Sequence, residues 1–364
     1  MKDSRLEQYA RLLVEHSIDV QPGWQVLVAS THLARPLVEE VARQIAQRGA
    51  YAIVRIYLTS FGPYPPLMDL AWASEAPEEL LGQLAPVERY VVEHIDAAIQ
   101  IGAPENLKDG SDFSLERLAL IRQANSPMRE RTTTGQIPWV LCHYPTVALA
   151  QEAGMTLPAY EDFLYGACLL DWNELGSNIR RIAARFDSAD EVRITGEGTD
   201  LLLGLKGRHA GLGDGRTNIP DGEFFYSPVE DATEGTITFS EFPALYAGQE
   251  VEGARLVFRG GKVVEATARH GEEFLLHVLD SDPAARVLGE LGIGCNPGIQ
   301  RFMKNTLFDE KIDGTIHLAL GNGFPHLGGR NRSTVHWDMV KDLRKGGSIY
   351  CDGELVQESG RWLI

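Results

Sequence analysis

Hydrophobic and polar positions follow two rhythms along the chain. In the first half, apolar residues at helical spacing alternate with short apolar runs. Ser4 to Glu7 is an S-x-x-E capping pattern, and Leu6, Tyr9, Ala10 and Leu13 then fall at i, i+3, i+4 and i+7, which predicts a helix. Pro22-Gly23 marks a turn, and the run WQVLVA at 24–29 predicts a buried strand. Leu37, Val41 and Ile45 form one stripe of a helix over 36–48, with Gly49 where a C-terminal cap is expected. Further strands are expected at 51–58, 97–102 and 138–142, with a helix over 114–124 and helical spacing from about 145 to 187. Strands alternating with helices predict an α/β domain with a parallel, Rossmann-like sheet over 1–187. No GxGxxG and no GxxxxGK[ST] motif follows a predicted strand, so nothing supports a nucleotide site there.

From about residue 191 the rhythm shortens to alternating strands broken by glycines, as in VRITGEGTDLLLGL and ARLVFRGGKVVEATARHG. Arg259-Gly260-Gly261-Lys262 between two apolar runs predicts a hairpin. An α+β, β-rich and barrel-like domain is expected over 188–364.

Composition narrows the function. The 364 residues carry 51 acidic and 34 basic side chains, a formal net charge of -17. So acidic a surface repels phosphate backbones and anionic lipid, which argues against nucleic acid and membrane as partners. No apolar stretch approaches the roughly 18 residues of a membrane span. The opening MKDSRLEQYARLL has acidic residues and no apolar core, unlike a secretory signal. Cys142, Cys168, Cys295 and Cys351 are far apart and form no CxxC, which predicts a reducing, cytoplasmic setting without a zinc finger.

Four segments of the second half combine carboxylates or imidazoles with glycine-rich turns. They centre on Glu223, Glu290, the pair Glu310 and His317, and the pair His336 and Asp338. If His336-Trp337-Asp338 lies on a strand, its period of two puts His336 and Asp338 on one face and Trp337 on the other. Two ligands so placed can reach one ion or two adjacent ions, although H-x-D is also a pattern that any surface strand can carry. Glu290 sits among Leu, Gly and Ile, where a carboxylate is costly to bury unless paired or metal-bound. Glu223 follows a Pro-Asp-Gly turn and could equally be solvated. His317 lies in the apolar run IHLALG and could equally be a core histidine.

Their order along the chain carries a resemblance. NIPDGEFFYSP, the LGE ending at Glu290, TLFDE with HLALGNGFP, NRSTVHWDMV, the terminal IYCDGELVQESGRW and, earlier, HYPTVALAQEAGMTLPAYEDF resemble the thermophilic-type metallo-aminopeptidase family of aminopeptidases T, II and S. The resemblance covers most of the chain. It implies a cytoplasmic homodimer that removes the N-terminal residue from short peptides. It also implies a pair of divalent metals, Zn, Co or Mn, held by Glu223, Glu290, His317, His336 and Asp338, with Glu290 bridging. A bridging water, acidified by both cations, would attack the peptide carbonyl. Glu310, or an unbound Glu223, would shuttle the proton, and Glu310 would otherwise be a further ligand. Two ions bring +4 and the three carboxylates -3, so one hydroxide restores neutrality. The oxygen and imidazole donors suit such ions.

The sequence departs from the family at Phe324, seven residues after His317, where family members carry a tyrosine. The gap from Glu310 to His317 is also longer. Two alternatives follow. Ring-cleaving 2,5-dihydroxypyridine dioxygenases resemble this family and use one iron, which needs fewer acids. A metal-binding relative with weakened catalysis would account for Phe324.

Overall fold

The computed structural model describes residues 3–59 and 68–364. The chain divides into two compact units, one of Met1–Leu169 with Gly215–Pro220, the other of Leu170–Asp214 with Asp221–Ile364.

The first unit is built on a parallel sheet, as the alternation of strand and helix predicts. Its strands are, in spatial order, Tyr51–Tyr57, Gln25–Thr31, Ala97–Gly102, Trp139–His143 and Asn218–Ile219. All four neighbouring pairs are parallel. The last strand comes from far along the chain and is introduced by a hydrogen bond from Leu141 N to Thr217 O (2.8 Å). Val26, Leu27 and Val28 are fully buried in the second strand, as befits a strand covered on both faces.

The helices follow the predicted stripes, with two differences at their ends. The first helix, Ser4–Arg11, is capped by Asp3, whose side chain accepts from Arg5 N (2.9 Å). Asp3 therefore takes the capping place that the S-x-x-E pattern assigned to Ser4. The helical stretch of about 145–187 is three helices, Val147–Glu152, Leu157–Cys168 and Trp172–Asp187. Each starts at a side-chain cap, Thr146, Thr156 or Asp171, that satisfies a first-turn N–H. Gly154, at φ 63°, separates the first two. No helix among the described residues is long and apolar enough to cross a membrane.

The second unit holds an eight-stranded and a five-stranded sheet. Antiparallel pairing runs throughout both. Among the described residues the two have end strands, so open sheets replace the expected barrel-like closure. The expected hairpin joins Ala254–Arg259 to Lys262–Thr267, with Gly260 and Gly261 at φ 54° and 76°. Positive φ at both turn positions matches the right-handed twist of the strands.

The five-stranded sheet orders His336–Asp342, Thr315–Gly321, Leu288–Gly294, Glu223–Tyr226 and Gly211–Gly213. One face sends Phe224, Tyr226, Leu291, Ile293, Ile316, Leu318, Leu320, Trp337 and Met339 into the core of the unit. Burying each such side chain stabilises by about 1.5–3 kcal/mol. The period of two then commits the alternate residues of these strands to the opposite face, and those are the candidate ligands.

Candidate metal centre

Register aligns the site. Glu290 pairs with Ala319, and Ala319 pairs with Asp338, so the two carboxylates lie in one row across three strands. His317 stands opposite Gly292, and His336 opposite Gly321. Glu223 opens the fourth strand, opposite Gly294. Trp337 points the other way, fully buried and stacked on Tyr246 with ring centroids 5.2 Å apart. The H-x-D triplet therefore lies on a strand with the facing that the sequence predicts.

Glu223, Glu290 and His317 make a buried chain of contacts that the partly exposed Asp338 and His336 close at the rim. His317 Nε2 lies 3.6 Å from Glu223 Oε2 and 3.4 Å from Glu290 Oε1. His336 Nε2 lies 3.2 Å from Glu290 Oε2 and 3.7 Å from Asp338 Oδ1. Glu290 thus turns one oxygen to each imidazole. Ligand atoms of Glu290, His317 and Asp338 all fall within 4.8 Å of one another.

Both imidazoles are oriented from behind. His317 Nδ1 is 3.0 Å from the carbonyl of Glu310, and His336 Nδ1 is 3.1 Å from the carbonyl of Asn322. A carbonyl can only accept, so each Nδ1 carries the hydrogen and donates it. That leaves Nε2 of both rings facing the carboxylates, the arrangement by which backbone carbonyls orient histidine ligands.

Such concentrated charge perturbs every group. Burial raises the Glu223 carboxyl to about 8, although Lys311 opposes the shift. Burial raises Asp338 as well. Burial also resists charge on Glu290, but hydrogen bonds from His317 and His336 hold it down to about 2. Burial disfavours charge on both imidazoles, yet Glu290 and Glu223 around His317, and Asp338 and Glu290 around His336, push each up to about 10.

The donor set fits divalent cations. Glu223 Oε2 and Asp338 Oδ1 are buried without a hydrogen-bond partner, a costly state for carboxylate oxygens. Two donors on one tetrahedral ion, each about 2.0–2.2 Å from it, stand about 3.4 Å apart. The spacings of 3.2–3.7 Å between imidazole and carboxylate atoms match that value. Oxygen and imidazole donors without thiolate suit divalent transition ions.

Glu310 follows the short helix Thr306–Asp309. It offers its carbonyl to His317, while its carboxylate bonds Lys311 Nζ. Lys311 is the site residue that sequence reasoning missed. Its side chain is fully buried, with Nζ 3.3 Å from Glu223 Oε1. A single lysine in the polar run DEKIDG has no local signal that marks it for burial. Phe324 lies beside the site, its ring centroid 5.6 Å from that of His336 and 5.1 Å from that of Phe225.

The family model for thermophilic metalloproteases, M29, matches residues 2–362. Aminopeptidase 2 of Geobacillus stearothermophilus is 27% identical, the match covering 99% of this chain and 98% of the relative. Aminopeptidase T of Thermus thermophilus is 27% identical, with coverage of 99% and 98%. Among solved structures, wild-type AmpT from Thermus thermophilus superposes with a TM-score of 0.82 at 23% identity and full coverage of both chains. The 2,5-dihydroxypyridine dioxygenase from Pseudomonas putida KT2440 superposes with a TM-score of 0.64 at 14% identity, covering 100% of this chain and 98% of the other. At such identities the two superpositions speak for the fold alone.

Proposed function

The chain belongs to the thermophilic metalloprotease family M29 and is a metallo-aminopeptidase, and on that premise we propose that it removes the N-terminal residue from short peptides at a centre of two divalent cations held by Glu223, Glu290, His317, His336 and Asp338. The observation that carries this reading is the splayed carboxylate of Glu290, with Oε1 3.4 Å from His317 Nε2 and Oε2 3.2 Å from His336 Nε2. Glu290 would be shared between the two ions, with Glu223 and His317 holding one and Asp338 and His336 the other. The proposal extends to Zn, Co or Mn as the ions, a homodimer as the assembly and the cytoplasm as the compartment.

When bound, the ions supply Lewis acidity towards the scissile carbonyl and a water molecule. The protein's own groups do the rest. The two Nδ1–H anchors fix the imidazoles, so the ligand atoms need little reorganisation. Glu310, next to the cluster, carries the proton from the attacking water to the leaving amine. A cleft lined by Pro243, Leu245, Phe302 and Val340 opens beside Glu310 and Asp338. Leu245 and Val340 on its wall are placed to contact the side chain of the residue to be removed.

Elemental analysis of the purified protein, paired with peptide hydrolysis, tests the reading. Two divalent ions per chain are expected, with cleavage of a leucyl peptide and none of its N-acetylated form. A single iron, no peptide turnover and ring cleavage of a dihydroxypyridine would instead favour the dioxygenase reading.

A further inference from the structure

Lys311 brings a positive charge of the protein's own into the carboxylate cluster. Its ammonium is fully buried, 3.3 Å from Glu223 Oε1 and bonded to Glu310. The loop that carries it is clamped to the sheet, with Asn296 N donating to Lys311 O (3.0 Å). Close approach is possible because residue 294 is glycine: a Cβ there would overlap the Ile312 carbonyl. Lys311 is therefore held at the Glu223 end of the site by backbone as well as by charge. At the other end Glu290 and Asp338 face the imidazole of His336, 3.2 and 3.7 Å from its Nε2.

We propose that Lys311 is a resident cation that makes the two metal positions unequal, so that the Glu290–His336–Asp338 position holds its ion tightly and the Glu223–Glu290–His317 position holds its ion weakly. The inference rests on the two-ion reading above. Glu223 already shares its charge with the ammonium, and a divalent ion arriving beside it meets a like charge at low dielectric. No ammonium or guanidinium forms an ion pair with Asp338 among the described residues. Lys311 has a second consequence: it keeps Glu223 and Glu310 paired while only the tight position is filled.

Calorimetric titration of the chelator-treated full-length protein with Co2+ tests this without reference to turnover. Two classes of site are expected in the wild type, with Kd values at least about tenfold apart. Lys311→Met, similar in length but uncharged, should tighten the weaker class about tenfold and leave the tighter one in place. Lys311→Arg should keep the gap. Glu223→Gln should remove the weaker class and Asp338→Asn the tighter. Equal affinities in the wild type, or a Lys311→Met titration that is unchanged or weaker, would overturn the proposal. Should Lys311→Met fail to fold, Glu223→Gln decides, because loss of the tighter class overturns it. A wild type that binds a single Co2+, or none, would count against the two-ion reading itself.

Discussion

Gly292 and His317 stand opposite each other in the register of two antiparallel strands, and a Cβ on the glycine would overlap the Cε1–Nε2 edge of the imidazole ring. The glycine is what lets the ring lie flat across its neighbour strand and bring Nε2 to Glu290. Gly292→Ala should displace His317 at a packing cost of about 1–3 kcal/mol. The expected outcome is a folded protein, by circular dichroism, that has lost an ion and at least about a hundredfold in kcat/KM. Full metal content in this variant would show that His317 is not a ligand.

Glu290→Gln removes the one carboxylate that faces both imidazoles. Metal stoichiometry should fall and turnover should vanish, because the charge shared between the two positions is gone. His336→Ala and Asp338→Ala should each lose metal while the unfolding of the first unit is unchanged. Two tightly held ions in Glu290→Gln would contradict the bridging role.

His143, in the first unit, offers a separate pH test. Its ring lies against Gly102, and burial lowers its pKa from 6.5 to about 4. The unfolded chain therefore binds a proton between those values that the folded chain does not. By linkage the contribution of His143 is full above pH 6.5 and is lost as pH falls towards 4. Denaturant titrations at a series of pH values should show a shallower acid loss for His143→Gln than for wild type. Parallel profiles would mean that His143 does not titrate with folding.

Phe324 packs edge-on to His336, where the family resemblance implies a tyrosine. A hydroxyl that stabilises a developing oxyanion is worth about 2.7–4 kcal/mol. Phe324→Tyr should accordingly raise kcat by about a hundredfold with little change in KM. Lower activity with intact metal content would show that another donor already fills that role.

The cleft beside Asp338 predicts that Leu245 reads the size of the residue at the cleaved position. Leu245→Trp should narrow it. The ratio of kcat/KM for leucyl over alanyl peptides should then fall about tenfold, within the range for pocket discrimination. An unchanged ratio would place the side chain elsewhere.

The sequence by itself determined what depends on short-range periodicity. Helical stripes such as Leu37, Val41 and Ile45 and the Gly260-Gly261 turn are local, because one face or one pair of positive φ values decides them. The facing of His336 and Asp338 away from Trp337 is equally local, since a strand of period two has no other choice. The five candidate ligands came from ordered motifs and the family resemblance they carry, because taken singly Glu223 could equally be a solvated turn residue and His317 a core histidine. Tertiary structure decided what depends on distant segments meeting. Asn218–Ile219 becomes a strand of the first sheet only because residues 141 and 217 pair, and two residues carry no periodicity of their own. The division of labour at residue 310, carbonyl to His317 and carboxylate to Lys311, needed the loop folded onto the sheet. Lys311 depended on it most. Its charge predicts exposure, and only the convergence of Glu223 and Glu310 provides the partners that let an ammonium be buried.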